Sequence, residues 1–298
     1  MAAVPSKSTH QMNVTGLSFV VASLAAGACL LAAAENRWPL RRPSQPQLRR
    51  QGRNLAVAAV AGAVVSLLER PLLKPLTEIV DHHRWGLLNA LRLPSCLRVA
   101  MGVALMDYSL YAWHRLVHRV PWLWRLHLPH HADLDLDAST ALRFHFTELA
   151  ASVPWRAAQV AAIGVGPQAY SVWQALTTAC ILFHHSNLRL PDLVERRLSW
   201  IVATPRMHGI HHSTVRDETD ANFSSGIGLW DRLHGTFRMD VPQQEIEIGT
   251  PAWRDPRELT LGKLLALPFR RQRPTWRDSE GRTPRRGADQ RLTKEFPE

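Results

Sequence analysis

Fifteen histidines are distributed unevenly over 298 residues: eleven fall between His114 and His212, most at helical spacing beside uncharged runs. His114-Arg-Leu-Val-His118 sets two imidazoles four residues apart. That is roughly 400° of helical turn, so both face the same way. His127-Leu-Pro-His130-His131 and His208-Gly-Ile-His211-His212 share one pattern, a first histidine followed at i+3 and i+4. Each brings three ligands together from a single helical turn. A lone i,i+4 pair is ordinary surface or core chemistry, but three groups at the edges of apolar runs are not. Eight buried imidazoles without a common partner would be costly.

The apolar runs point to an all-α integral membrane bundle of four to five spans, with a cytosolic, histidine-rich metal-binding cap. Val14–Ala34 is twenty-one residues without a charge, long enough to cross a bilayer core. A signal peptide competes for this segment, but its length and the Arg-rich loop after it favour a retained helix. Arg37 to Arg53 carries six arginines and reads as a cytoplasmic anchor. Asn54–Leu68 is the next run, at the short end for a span and followed by Pro71 and Pro75, and the mixed stretch Asp81–Pro94 reads as interfacial. Cys96–Trp113 is the third span, with Asp107 inside it. Leu149–Val165, a Gly166-Pro167 break and Gln168–Phe183 read as a hairpin, its first arm weakened by Arg156. On this topology every histidine cluster collects on the cytoplasmic face, which for a bacterial chain is that of the inner membrane.

The chain divides into membrane helices and a basic loop over 1–95, a di-metal domain over 96–240, and a basic, mobile tail over 241–298. The formal charge of +11 is almost all arginine. With no nucleic-acid module present, that charge suits an anionic membrane surface. Cys29, Cys96 and Cys180 are scattered among apolar segments and read as buried small hydrophobes, not a disulfide framework. The tryptophans cluster at the ends of apolar runs, where interfacial anchoring explains them.

Ligand number constrains the metal. Imidazole suits zinc, copper, nickel and iron. One structural zinc uses about four ligands and one catalytic zinc three plus water. Eight histidines, with His145, His184 and His185 in reserve, exceed one such site. Two octahedral irons, each keeping a position for oxygen, would use them. The Glu-x-x-His pattern of soluble di-iron bundles is absent.

The ordered series of strings resembles the fatty acid hydroxylase and sterol desaturase superfamily. It runs through Asp107-Tyr-Ser-Leu-Tyr111-Ala-Trp-His114-Arg-Leu-Val-His118, the His127 cluster, and Arg143-Phe-His145-Phe-Thr-Glu148. It continues with His185-Ser-Asn187-Leu-Arg-Leu-Pro191, Thr204-Pro-Arg-Met-His208-Gly-Ile-His211-His212, Asn222, Trp230-Asp231-Arg232 and Gly235-Thr236. The likeness covers about 97–237. The loop over 35–54 is also similar to bacterial members. The resemblance implies a membrane enzyme that hydroxylates or desaturates a lipid with O2 and two electrons. A separate reductase, ferredoxin or cytochrome would supply those electrons, since no flavin, haem or dinucleotide motif is present.

Carried over by position, the metal ligands are His114, His118, His127, His130, His131, His208, His211 and His212, with His185 a ninth and His145 a tenth. The metal implied is iron, two ions, although zinc would also fit the isolated protein. Pro129 inside the second cluster, His184 before His185, His234 in an aromatic position and Ser224-Ser225 in place of glycine depart from the family pattern. Pro129 is easiest to place if its helix starts near His127. Asp107, Asn187, Asn222 and Asp231 are candidates for orienting the ligand imidazoles. For Asp107 an ion pair with Arg115 competes, and for the others capping and turn formation. Two other functions use the same residues: a membrane zinc hydrolase, which would need a base of the HExxH kind, and a lipid-binding protein of the same fold without catalysis.

Overall fold

The computed structural model describes residues 14–286; of residues 14–21 and 24 it describes the helical backbone alone. The flank carrying Lys7 and the last twelve residues of the expected tail lie outside the described residues. Among the described residues there is no β-strand, only three isolated bridges, Pro39–Leu188, Val202–Ile227 and Ser213–Ile248. The fold is all-α, as expected.

α1 spans Val14–Arg37 and α2 Gln47–Val64. A π-helical turn, Val65–Glu69, then joins α2 directly to α3, Arg70–His82. Pro71 and Pro75, which follow the run, therefore do not interrupt the helix. Pro71 falls in the first turn of α3, just beyond a turn whose hydrogen-bond register has already shifted, and Pro75 sits inside the helix. Among the described residues, Gln47–Ala90 is the stretch long and apolar enough to cross a membrane by length and composition.

After the short α4, Leu87–Ala90, comes α5, Ser95–Arg119, which makes the third apolar run and the first histidine pair one continuous helix. Val120 is extended because Pro121 follows it, and α6, Pro121–His131, starts there with proline in its first turn. The second cluster's helix thus starts well before His127, and Pro129 is an interior proline. α7, Phe146–Ile163, and α8, Pro167–His185, are separated at the expected Gly166-Pro167 break, but they do not pair as a hairpin: each packs on α3 and α5. Gly164 caps α7 in the left-handed region, and Gly86 lies so close that a Cβ there would sit 2.3 Å from the Gly164 nitrogen.

The core of this bundle joins α3, α5, α7 and α8 through Leu73, Val80, Met106, Val153, Val160 and Trp173. Arg156, the charge that weakens the first arm of the expected hairpin, pairs with Glu69 at 2.6 Å. Short helices complete the chain: α9 Asp192–Leu198, α10 Pro205–His211, α11 Arg216–Thr219, α12 Leu229–Leu233 and α13 Leu261–Ala266.

Two expectations about charge and order need correction. The arginine-rich loop is only partly an outward-facing anchor: Arg37, Arg42 and Arg49 are exposed, but Arg41 and Arg50 are buried. Arg50 reaches Asp133 at 2.7 Å and also pairs with Asp137; Arg53 and Arg143 lie 3.4 Å from Asp133. Burial alone would raise the Asp133 carboxyl, but these cations outweigh it and hold the group at about 2. The acids that turn the arginines inward lie some eighty residues downstream.

Nor does the described part of the expected tail, 241–286, stand apart from the fold. Trp253, Leu259, Leu264 and Leu267 are buried against Val57 of α2 and Leu128 of α6, while Val241, Ile246 and Ile248 pack on Ile210. Further on, Trp276 stacks on Trp124 at 5.5 Å, and Arg286 reaches Glu218 at 2.6 Å.

Candidate metal centre

The ends of α5, α6 and α8 converge with α10, and their imidazoles form two adjoining groups. In one, the nitrogens of His114, His118, His127 and His131 lie within 4.8 Å of one another; in the other, those of His130, His185, His208 and His212. The consecutive histidines of α6 divide between the groups, His131 to the first and His130 to the second. His211 adjoins the first group, its Nε2 3.1 Å from Nε2 of His114.

Hydrogen bonding on the far side of four rings settles which nitrogen carries the proton. His114 Nδ1 lies 2.8 Å from the Phe223 carbonyl, and His211 Nδ1 2.8 Å from that of Ala221. Carbonyl oxygens only accept, so both Nδ1 atoms donate and both Nε2 atoms keep a lone pair. Those lone pairs face each other at 3.1 Å. His185 Nδ1 likewise donates to Ile181, leaving a bare Nε2 2.9 Å from His208 and 3.1 Å from His130. His127 Nδ1 donates to Glu148 Oε1 at 2.8 Å, and its Nε2 is buried without a partner. Both nitrogens of His118 and of His131 are buried without a partner as well.

Protonation does not relieve this crowding. Burial first, then the neighbouring imidazoles, push His114, His118, His130, His131, His208 and His212 well below the ordinary histidine range. Burial takes His185 and His211 down to about 3. Neutral imidazoles with converging lone pairs are the donor set a metal cation requires. Spacings near 3 Å suit nitrogens sharing one ion with bonds of about 2.0–2.1 Å. The residues therefore fit two metal ions.

Not every expected site residue joins these groups. His145 stands apart: its Nδ1 accepts from the Thr147 N–H at 3.2 Å and its Nε2 donates to the Leu265 carbonyl at 3.1 Å. Both nitrogens are engaged, and the ring caps α7 instead of facing the cluster. His185 lies in the second group; His184 packs on His208, ring centroids 4.1 Å apart, outside the close set. Asp107 touches neither a histidine nor Arg115. It accepts from the Ile227 N–H at 2.9 Å and the Trp230 indole at 2.7 Å, and a Cβ at Gly226 would collide with it. Asn187 clasps Arg41, accepting from its N–H and donating to its carbonyl.

Asn222 and Asp231 serve the imidazoles through the backbone. Asn222, in the left-handed region at φ 55°, donates to the Met207 and Arg238 carbonyls. Asp231 accepts from the N–H groups of Phe223 and Ser224. Together they fix the segment whose carbonyls take the protons of His211 and His114. Glu148 is the orienting group that the sequence analysis passed over, although an acid at the start of an apolar run was a visible signal.

A cavity of about 360 Å³ opens onto both groups, reaching His114, His127, His130, His185 and His208. Its walls come from α2, α5, α7 and α8, with Ala58, Leu110, Trp113, Leu149 and Ile181 among them.

Fold and site together define an all-helical protein with two abutting imidazole clusters, each able to hold a metal ion, at the end of an apolar cavity. Residues 99–236 match the fatty acid hydroxylase family model. Similar curated proteins include ornithine lipid hydroxylase of Rhizobium tropici, 32% identical over 60% of this chain and 52% of that protein. Alkylglycerol monooxygenase of Xenopus tropicalis is 31% identical over 47% of this chain and 30% of its own length. Cholesterol 25-hydroxylase of Mus musculus is 27% identical over 47% and 46%. Over this stretch the chain is similar to the fatty acid hydroxylase and sterol desaturase superfamily. It spans about half the length, or less, of these relatives. No solved structure matches it.

Proposed function

We propose that this protein is a membrane-bound lipid hydroxylase holding two iron ions in the paired histidine groups. The observation that carries the reading is the set of facing imidazole lone pairs at the end of an apolar cavity. Iron bound there would supply the oxygen activation that attack on an unactivated C–H bond needs. The ligands are His114, His118, His127, His131 and His211 on one side and His130, His185, His208 and His212 on the other.

The chain's own residues do the rest. Phe223, Ala221, Ile181 and Glu148 hold the Nδ1 protons of four ligands, so each Nε2 presents its lone pair inward. The cavity's apolar walls receive an acyl or similar chain and keep water from the reacting carbon. Hydroxylation is favoured over desaturation because the named relatives are hydroxylases and a monooxygenase.

Membrane residence is supported by the apolar surface of the bundle, where Leu55, Leu67, Leu72, Leu97 and Leu176 are exposed on α2, the π-helical turn, α3, α5 and α8. In this reading α1, α2, α5, α7 and α8 span or enter the bilayer. The histidine end faces the cytoplasm of a bacterial inner membrane, and a separate reductase, ferredoxin or cytochrome supplies two electrons.

The test is turnover of a bacterial lipid extract by purified protein in nanodiscs, loaded with iron and supplied with reductant and ¹⁸O2. One labelled oxygen atom should enter each product molecule, and His211→Ala should abolish incorporation. Active protein that holds zinc and no iron, or product formed without oxygen, would overturn the reading.

A further inference from the structure

The end of the cavity away from the histidines is polar. Glu69, 3% exposed, and Arg156 line it as an ion pair of 2.6 Å. Tyr170 donates to the same Glu69 oxygen at 3.2 Å. The Arg156 guanidinium lies over the Trp173 ring, 5.6 Å from its centroid, and the indole N–H of Trp173 is buried without an acceptor. Gln174 and Trp173 belong to the same wall. Glu69 closes the π-helical turn between α2 and α3, an irregularity that recurs at functional sites.

A purely structural ion pair would sit best in a packed interior. This one faces a cavity that is otherwise apolar, where unmet polar groups are costly.

We propose that this wall is a recognition subsite for an uncharged, hydroxyl-bearing group of the lipid. The pair offers a donor in Arg156 and an acceptor in Glu69, which together match an O–H. It carries no net charge, so a carboxylate or phosphate would bring an uncompensated charge into a buried place. The subsite also sets a distance. Arg156 lies eight residues along α7 from Glu148, and Gln174 ten residues along α8 from His184, so the held oxygen is about 12–15 Å from the metal groups. The reacting carbon is then far along the chain from that oxygen. This inference rests on the reading of the cavity as the lipid site, but not on oxygen chemistry.

The experiment compares binding of radiolabelled 1-hexadecanol, hexadecane and palmitate to the metal-loaded protein in nanodiscs. Hexadecanol should bind about tenfold more tightly than either of the others. The double variant Glu69→Leu/Arg156→Met removes both charges together, so neither is left unpaired. It should lose the preference for the alcohol while hexadecane binding persists, which also shows that the variant folds. Gln174→Leu, which touches no ion pair, should reduce the same preference. Equal binding of alcohol and alkane, tighter binding of palmitate, or an unchanged preference in the double variant overturns the subsite. Failure to bind any of the three overturns the cavity as a lipid site, and the subsite with it.

Discussion

At the scale of single residues, the candidate centre depends on which ring nitrogen each histidine presents. Spacing brings His114 and His118 to one face of α5, but it does not say that Nδ1 of His114 is occupied by the Phe223 carbonyl. Among the described residues, Glu148 is the one carboxylate hydrogen-bonded to a ring nitrogen of these groups, at His127. A carboxylate on Nδ1–H fixes the tautomer and makes the opposite nitrogen a better donor. Glu148→Gln should therefore weaken metal retention about 10–100-fold, measured as metal content after dialysis against graded chelator. His145→Gln should retain metal like the parent protein in the same assay, because both nitrogens of His145 are already engaged.

At the scale of elements, the helices follow the apolar runs, although Pro71, Pro75 and Pro129 break none of them, and the differences arise at contacts between distant segments. Pro121 starts α6 and Gly164 ends α7 for local reasons. Arg50 behaves otherwise: in sequence it is one of six arginines in a loop, and in the fold it neutralises Asp133 and Asp137 beside the second histidine cluster. Replacing it strands buried carboxylates. Arg50→Met should destabilise the protein by about 3–5 kcal/mol, and adding Asp133→Asn should restore part of that. Denaturant unfolding followed by tryptophan fluorescence measures both. An undiminished single variant would mean that the pair contributes nothing net.

At the scale of the whole molecule, the described residues 241–286 belong to the fold. Trp253, Leu259, Leu264 and Leu267 close one hydrophobic cluster over α2 and α6. Burying such a side chain contributes about 1.5–3 kcal/mol. Losing four would consume much of a typical folding free energy of about 5–15 kcal/mol. A chain ending at Asp240 should fail to give monodisperse, protease-resistant protein on size exclusion; a well-behaved truncation would contradict this packing. The sequence by itself determined the helical class, the histidine clusters and the resemblance to a family, because helix periodicity, proline breaks and i,i+3/i,i+4 spacing are local properties. Tertiary structure alone decided the division of His130 and His131 between two groups, the removal of His145 and the role of Glu148. It also decided the inward turn of Arg50 and the polar wall at Glu69 and Arg156. Each of these depends on which distant segment meets the side chain, and burial makes that meeting energetically decisive. For the histidine clusters, spacing marked the residues, and backbone carbonyls aim Nε2 of His114, His185 and His211 at imidazoles from other helices.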